Sequence, residues 1–305
     1  MRLVPIVLAT LLAALPAARP AGAEELTGTL QKLKETNTIV MGFRETSVPF
    51  SYLDDQQKPI GYAVDICMKL VDAIRTEMKM PGLKLETMGV TSSNRIPLMA
   101  NGTIDIECAS TTNNADRQKQ VSFAPSHFLT ASKFVARKAD HFANMEALRG
   151  KTVASVAGTS NIVSLNQANV AKKLGMTILA AKDVPEGFLM METGRAVAFV
   201  MDDIQLSASI ANSKNPAAYE INDDAFSKPE PYGIMLRRND PQFKAMVDRA
   251  IAKIYASPDI TAIYNKWFMS PVAPKGVNYN APLSPALRNQ FAHPTDSANP
   301  DDYKS

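Results

Sequence analysis

Apolar residues along this chain follow two periods: strict alternation, which is typical of strands, and recurrence every three to four residues, which is typical of amphipathic helices. The clearest helix is predicted over residues 241–256, where apolar side chains recur at i, i+3 and i+4. The predicted strands are 38–43, 49–53, 83–88, 104–109, 133–137, 152–156 and 197–201. The other predicted helices are about 63–79, 95–100, 162–174, 187–193 and 204–213.

This alternation of strands and helices predicts an α/β protein with helices layered over mostly parallel sheets. The chain has 305 residues, which exceeds what one small core usually serves, so we expect two lobes. In such sheets ligands bind outside the carboxyl ends of the strands. Polar residues that follow a predicted strand are therefore the first candidates for a site.

Residues 1–23 have the pattern of a secretory signal peptide. Arg2 gives a positive start, an apolar run covers residues 3–15, and Ala21-Gly22-Ala23 is a small-residue cleavage site. The run is shorter than the roughly 20 residues that span a bilayer, although an uncleaved anchor is the alternative. No cysteine stands at the cleavage point, which argues against a lipoprotein. We expect a free periplasmic protein, secreted through a cleaved signal peptide.

The charge balance excludes some partners. Removing the signal removes two arginines and no acids, so the formal charge falls from 33 − 30 = +3 to 31 − 30 = +1. A near-neutral chain gives no electrostatic reason to expect nucleic acid or an anionic membrane as a partner.

Catalytic and metal-binding patterns are not found in the sequence. It has no Gly-x-Ser-x-Gly elbow, His-Glu-x-x-His, P-loop or Gly-rich dinucleotide turn, and its three histidines are His127, His141 and His293. We therefore expect no cofactor, no metal and no catalytic residues. Cys67 and Cys108 are interpreted as core residues, with a disulfide as the alternative, because sequence does not give the distance between their Cα atoms.

The segment 104–120, IDIECASTTNNADRQKQ, brings several anion-binding features together. A predicted strand is followed by small polar residues that can cap a helix, and Arg117 then falls in the first turn of that helix. Hydroxyls, free helix N–H groups and a guanidinium at one point suit a carboxylate. The alternative is an ordinary strand–loop–helix connection with a surface arginine, and the residues alone leave both open.

Within that segment, STTNNADRQKQ resembles the stretch that holds the α-carboxylate and α-amino group in periplasmic solute-binding proteins for polar amino acids. The resemblance is closest to the glutamate/aspartate-binding proteins of ABC importers. Four further blocks resemble the same group in the same order, and coverage runs from about residue 30 to residue 291. These blocks are FRETSVPFSYLD, TSSNRIPLMANGT, ETGRAVAFVMDD and PYGIMLRRNDPQFK.

The resemblance implies a two-lobed periplasmic-binding-protein fold of type II-like architecture. Each lobe would be a mostly parallel sheet flanked by helices, and two hinge crossovers would join the lobes. Lobe 1 would then be discontinuous in sequence, which composition alone does not reveal. The implied divisions are 1–23 for the signal peptide, 24–130 and 232–290 for lobe 1, 131–231 for lobe 2 and 291–305 for a flexible C-terminal tail.

The resemblance also assigns roles to residues of lobe 1. Arg44, Ser92 and Arg95 would hold the side-chain carboxylate of the ligand, although lone arginines are more often ordinary surface residues. Arg117 and Thr112 would hold the α-carboxylate. A sixth residue, Ser110, would help to hold the ammonium group.

Lobe 2 would close over the ligand from the other side. The turn that contains Thr159 and Ser160 is by itself typical of a helix cap, but the resemblance makes Ser160, with Thr159 beside it, a contact to the α-carboxylate. Asp202 ends an apolar strand, where an unpaired carboxylate is costly unless it meets a cation such as an α-ammonium. Its neighbour Asp203 is expected to cap the next helix.

The roles that the resemblance assigns to these residues predict an acidic ligand. Three arginines against one aspartate match a ligand with two carboxylates and one ammonium. One departure is Val184, which stands where glutamate/aspartate-binding relatives commonly carry a histidine. We therefore expect glutamate or aspartate, with another polar amino acid or dicarboxylate as the alternative.

The leading hypothesis is thus the periplasmic binding component of an amino-acid ABC transporter. It would be a monomer that closes on its ligand and presents the closed form to an inner-membrane permease. A periplasmic sensor module is the alternative, and a dehydratase-like enzyme on the same fold is the less expected one.

Overall fold

The computed structural model describes residues 25–303 of the 305-residue chain. The predicted signal peptide, residues 1–23, lies outside the described residues. Within 25–303, no helix combines the length and the apolar character that crossing a membrane requires.

The chain forms two lobes, and it crosses from one to the other and back. The elements up to the first crossover are α1 (Gly28–Thr36), β1 (Thr38–Arg44), β2 (Thr46–Ser47), β3 (Ser51–Leu53), β4 (Pro59–Ile60), α2 (Tyr62–Glu77), β5 (Lys84–Val90), α3 (Arg95–Ala100), β6 (Ile106–Cys108), α4 (Ala115–Gln118), β7 (Val121–Phe123) and β8 (Phe128–Thr130). Lobe 2 contains β9 (Ser132–Arg137), β10 (Thr152–Val156), α5 (Ser160–Ala171), β11 (Thr177–Ala181), α6 (Val184–Glu192), β12 (Ala198–Asp202), α7 (Asp203–Ala211) and β13 (Tyr219–Ile221). The chain returns through β14 (Glu230–Tyr232), β15 (Met235–Arg237), α8 (Pro241–Ala256), α9 (Pro258–Phe268) and α10 (Pro285–Ala292). Short 3₁₀ helices cover Lys138–Asp140, Met145–Leu148, Pro216–Ala218 and Pro300–Tyr303.

Each lobe is built on a five-stranded mixed sheet. The order is β5-β1-β6-β15-β7 in lobe 1 and β11-β10-β12-β9-β13 in lobe 2. The first three strands of each order are parallel, and the remaining pairings are antiparallel. The expected two-lobed α/β fold is confirmed. Since β15 comes from the returning chain, the sheet of lobe 1 is assembled from two separate stretches of sequence.

The crossover strands β8 and β14 pair with each other and are anchored in lobe 1. Phe128 on β8 and Tyr232 on β14 are register partners. Both rings pack on Phe50, with centroid distances of 4.8 and 5.1 Å. These buried aromatic contacts fix the two crossover strands to lobe 1, at the point where the chain leaves this lobe and at the point where it returns.

A disulfide joins α2 to β6. Cys67 and Cys108 are both fully buried and are bonded, with their Cα atoms 6.3 Å apart. The interpretation of these two residues as unpaired core thiols is therefore wrong, and the alternative holds. The sequence did not indicate this because the two residues are 41 positions apart and meet only when the helix packs on the sheet.

The C-terminal segment packs against lobe 1 as far as residue 303. Phe291 and Tyr303 are buried, and the Tyr303 hydroxyl lies 3.0 Å from Ser126 Oγ. The Thr295 carbonyl accepts a 3.0 Å bond from the Ser126 amide. For residues 291–303 the expected flexible tail is thus corrected, because aromatic burial and backbone hydrogen bonds compensate for a polar composition.

Candidate functional site

A closed cleft separates the carboxyl-terminal edges of the two sheets. Its centre is a cavity of about 10 Å³, so the lobes must separate before a molecule the size of an amino acid can enter. The side chains around it come from both lobes, and they include eight of the nine site residues predicted from the sequence. The lining residues are Arg44, Ser92, Arg95, Ser110, Thr112, Thr159, Ser160, Asn161, Met201 and Asp202.

The topology explains why residues remote in sequence meet here. Arg44 is the last residue of β1, and Arg95 begins α3, which follows β5. In lobe 2, Ser160 begins α5, the helix that follows β10, and Asp202 ends β12. The carboxyl ends of parallel strands share one edge of a sheet, and the two lobes present these edges to each other.

Arg44 is buried and is held by a serine. Its Nη1 donates a 2.6 Å hydrogen bond to Ser92 Oγ. Burial, and then the positive charge of Arg95, lower the pKa of Arg44 from 12.5 to about 10. Two like charges in one desolvated space favour an anion between them, because an anion removes their repulsion.

Arg95 lies against the buried carboxylate of Glu107, which the sequence did not identify as a site residue. Its Nη1 donates to Thr111 Oγ1 at 2.5 Å, and Thr111 donates to Glu107 Oε2 at 2.6 Å. The direct distance from Arg95 Nη1 to Glu107 Oε1 is 3.7 Å, and Glu107 is fully buried. Within residues 25–303, Arg95 Nε has no hydrogen-bond partner, so the guanidinium keeps donor capacity.

Arg117 lies beside the central cavity, not on its wall. It donates from Nη1 to the Thr112 carbonyl at 2.8 Å and from Nη2 to the Gly158 carbonyl of lobe 2 at 3.3 Å. It shares an adjoining groove of about 570 Å³ with Thr112, Ser160 and Glu230. Burial, followed by the charge of Arg95, lowers the pKa of Arg117 to about 10.

Ser110 belongs to a chain of polar groups that crosses between the lobes. Its Oγ lies 2.7 Å from Ser47 Oγ, which accepts a 2.5 Å bond from Gln205 Nε2 on α7 of lobe 2. Gln205 is buried, and its Oε1 has no hydrogen-bond partner in the described part of the chain. The sequence analysis missed Ser47 and Gln205, because neither their type nor their spacing carries a signal.

The side chains of Thr159 and Ser160 make different contacts. Thr159 is the N-cap of α5: its Oγ1 accepts from the Ile162 amide at 3.3 Å and donates to the Val156 carbonyl at 2.6 Å. Ser160 instead faces lobe 1, with its Oγ 3.0 Å from Thr112 Oγ1. The helix-cap alternative thus holds for the side chain of Thr159.

Asp202 is a buried carboxylate with one free oxygen. Its Oδ2 accepts a short hydrogen bond from the Tyr232 hydroxyl, while Oδ1 has no hydrogen-bond partner among the residues that the structure describes. Burial, and then the negative charge of Glu230, raise the pKa of Asp202 from 3.8 to about 8. A cation placed at Oδ1 would favour the ionised form.

Asp203 does not stand at the cap position of α7, which Asp202 occupies. The Asp203 carboxylate nevertheless accepts a 2.7 Å bond from the Ile204 amide at the start of that helix. It also accepts a 2.6 Å bond from Thr130 on the first crossover strand. The expectation for Asp203 is therefore corrected in position, although its side chain does bind the helix terminus.

The charge count made from the sequence is incomplete. Glu230, on crossover strand β14, is buried and accepts hydrogen bonds from Thr112 and Ser160. With Glu107 and Asp202 it gives three carboxylates for three arginines. The excess of arginines over acids that was counted from the sequence therefore does not identify the ligand. The positions of the charges are more informative than their number. Glu107 lies behind Arg95, whereas the guanidinium groups of Arg44 and Arg95 reach the cavity.

Val184, at the start of α6, is buried but does not line the central cavity. It faces a second groove of about 830 Å³ together with Thr46, Phe188 and Gln205.

Among the residues that the structure describes, no three His, Cys, Asp or Glu side chains are grouped so that they could hold a metal ion. His127 is fully buried beside the rings of Phe50 and Tyr62, and burial lowers its pKa to about 3.

Comparison of the sequence with known proteins finds a match to one family. The family model described as bacterial extracellular solute-binding proteins, family 3, matches residues 39–270. The L-glutamate/L-aspartate-binding protein of Pseudomonas aeruginosa is 46% identical, over 98% of this chain and 99% of the relative. The glutamate/aspartate import solute-binding protein of Escherichia coli is 42% identical, over 88% and 89%.

Solved structures match the same architecture. An ancestral arginine-binding protein bound to arginine superposes with a TM-score of 0.68 at 27% identity, covering 76% of this chain and 98% of that one. A substrate-binding protein of an ABC uptake transporter from Streptococcus pneumoniae, with bound histidine, gives a TM-score of 0.70 at 18% identity, covering 81% and 98%. The second likeness concerns the fold alone.

Proposed function

The chain belongs to the bacterial extracellular solute-binding proteins of family 3, and we propose that it captures glutamate or aspartate for an ABC importer. The relatives named above are binding proteins, and this chain is a binding protein, not an enzyme. The observation that carries the proposal is the meeting of buried arginines of lobe 1 with a buried carboxylate of lobe 2 around one closed cleft.

In this proposal the side-chain carboxylate of the ligand lies between Arg44 and Arg95, with Ser92 as an additional donor. The charge of the ligand then removes the repulsion between the two guanidinium groups. Charge-assisted hydrogen bonds of this kind contribute about 1.5–3 kcal/mol each. A neutral side chain would leave Arg44 without a direct ion pair and Arg95 with only Glu107 behind it, so the two arginines favour an acidic ligand.

The α-groups of the ligand lie at the other end of the cavity. The α-carboxylate faces Arg117, Thr112 and the turn of Thr159 and Ser160 at the start of α5, where free N–H groups attract anions. The ammonium group lies against Ser110 and the free oxygen of Asp202. The ligand thereby contacts both lobes at once, so its binding stabilises the closed form.

The closed form is the species that an inner-membrane permease would recognise. Export through a cleaved signal over residues 1–23 would place the protein in the periplasm, and we propose that it acts there as a monomer. These statements extend the family assignment and the names of the relatives.

A thermal-shift screen of the purified mature protein against the common amino acids tests the proposal. A ligand that binds only the folded state raises the unfolding temperature in proportion to the logarithm of its concentration over Kd. We expect glutamate and aspartate to give the largest shifts. A largest shift with arginine or glutamine would assign the cleft to another ligand.

A further inference from the structure

Glu230 takes up the hydroxyl donors that the proposed α-carboxylate needs. Its Oε2 accepts from Thr112 Oγ1 at 2.9 Å and from Ser160 Oγ at 2.6 Å, and these two hydroxyls lie 3.0 Å apart. A hydroxyl group has only one proton to donate. The hydroxyl protons of Thr112 and Ser160 are both donated to Glu230. Neither proton can be donated to a ligand unless the carboxylate of Glu230 moves away.

The position of Glu230 is fixed by the crossover on which it lies. Its backbone pairs with Thr130 on β8, and the next residue, Pro231, accepts a 2.8 Å bond from the Asn113 amide. The carboxylate therefore stays with Thr112 on the side of lobe 1. Its bond to Ser160, by contrast, forms across the cleft and exists only when the lobes are closed.

The charged groups around Glu230 place it where the α-carboxylate would lie. It shares a groove with Arg117, and its negative charge acts on the guanidinium of Arg117 and on the carboxylate of Asp202. Arg117 donates to two backbone carbonyls and not to Glu230. The α-carboxylate of a ligand could therefore pair with Arg117. The hydroxyls of Thr112 and Ser160, however, would already be bonded to the carboxylate of Glu230.

We propose that Glu230 is a specificity-determining residue that competes with the ligand's α-carboxylate for the hydroxyls of Thr112 and Ser160. This inference rests on the proposed function. Glu230 weakens binding of ligands with a free α-carboxylate, because two carboxylates repel each other and share the same donors. Compared with the same site lacking this charge, it shifts the preference toward an α-carboxamide, whose N–H groups can donate to Glu230, while glutamate or aspartate remains the proposed ligand. The groove of about 570 Å³ beside Glu230 gives its side chain room to turn away when an α-carboxylate displaces it.

Glu230→Gln tests this by calorimetric titration with glutamate and with isoglutamine, the α-amide of glutamate. The substitution keeps the shape of the side chain and removes its charge. We expect glutamate affinity to rise about tenfold, since a neutral acceptor holds the hydroxyls less strongly than a carboxylate does. Isoglutamine affinity should fall or stay constant, so the ratio of the two affinities increases.

The control is Glu220→Gln, which removes an equal charge from an exposed position on β13. It should leave the ratio unchanged. Glu230→Ala serves as a second variant if the glutamine variant does not fold, with the same expected direction. An unchanged or lower ratio in the folded Glu230 variant overturns the proposal. If the wild-type protein binds no glutamate, the proposed function fails instead, so the two failures are distinguishable.

Discussion

Gly158 of lobe 2 lies directly against the backbone of Ser92 in lobe 1. A Cβ atom built on Gly158 would be 2.8 Å from both the carbonyl carbon and the carbonyl oxygen of Ser92, and equally close to the Cα atom of Ser93. Real Cβ atoms essentially never come so close to backbone atoms. The closed cleft therefore depends on a glycine at this position, and Gly158 also supplies the carbonyl that accepts from Arg117.

Gly158→Ala should weaken ligand binding at least about tenfold by preventing full closure, since packed backbone does not yield to an added methyl group. Both lobes remain intact, so each should still fold. Calorimetry with glutamate gives the affinity, and small-angle scattering with saturating ligand gives the degree of closure.

Gly175→Ala is the matched control for that variant. Gly175 has a φ of +61°, close to the +76° of Gly158, but no atom of the described residues lies within 4 Å of its added Cβ. Both variants carry the strain of an alanine in the left-handed region, and only one meets the other lobe. Equal losses of affinity in the two variants would show that backbone strain, not closure, is responsible.

Arg44→Gln should reduce the affinity for glutamate by about 10- to 150-fold, which corresponds to one charge-assisted hydrogen bond. Affinity for glutamine should change much less, because a neutral side chain does not need the charge. The unliganded fold should not lose stability, since the substitution removes the repulsion between Arg44 and Arg95. Titrations with both ligands and urea unfolding measure these effects.

Arg249→Gln is the control, because Arg249 lies on α8 with its side chain 56% exposed and paired with Glu77. It should leave both affinities unchanged. If Arg44→Gln weakens glutamate and glutamine equally, Arg44 does not read the side-chain carboxylate.

Asp202 makes the stability of the unliganded protein depend on pH. In the unfolded chain this carboxyl loses its proton near pH 4, whereas burial keeps the proton on the folded protein up to about pH 8. Over that window the folded state binds more protons, so the free energy of unfolding falls as pH rises, by at most about 1.4 kcal/mol per pH unit. Asp202→Asn should remove this slope.

Urea unfolding of both proteins between pH 7 and 8.5 checks this prediction. His127 acts in the opposite direction: its folded pKa of about 3 is below the unfolded value of 6.5, so its effect appears only as pH falls below about 6.5. Working above pH 7 separates the two groups. The same slope in the wild type and in Asp202→Asn would mean that Asp202 is ionised in the fold.

The spacing of apolar residues along the chain was sufficient to predict many of the helices and strands. The helices Arg95–Ala100 and Pro241–Ala256 and the strand Thr152–Val156 have the bounds that periodicity predicts. Strand β15 was not predicted, because three residues are too few to show a period. Helix α9 was also missed; it begins at Pro258, and the single residue Ser257 separates it from the end of α8 at Ala256.

Some of the site residues could likewise be predicted from the sequence, and others could not. Those at the ends of predicted strands, such as Arg44 and Asp202, could be proposed because strand ends share one edge of a sheet and because their blocks resemble a family. Glu230 could not, since it is 118 residues from Thr112 and 70 from Ser160 and meets them only through the crossover. Glu107 lies within a predicted strand, where a polar residue normally indicates a solvent-facing position, yet it is fully buried.

The most direct test of the acidic-ligand assignment is calorimetric titration of the purified mature protein with glutamate, aspartate, glutamine and arginine. The closed cleft with Arg44 and Arg95 at one end and Asp202 at the other predicts saturable one-to-one binding of glutamate or aspartate. Glutamine and arginine should bind far more weakly. Clear heat with glutamine or arginine, and none with either acidic amino acid, would contradict the account.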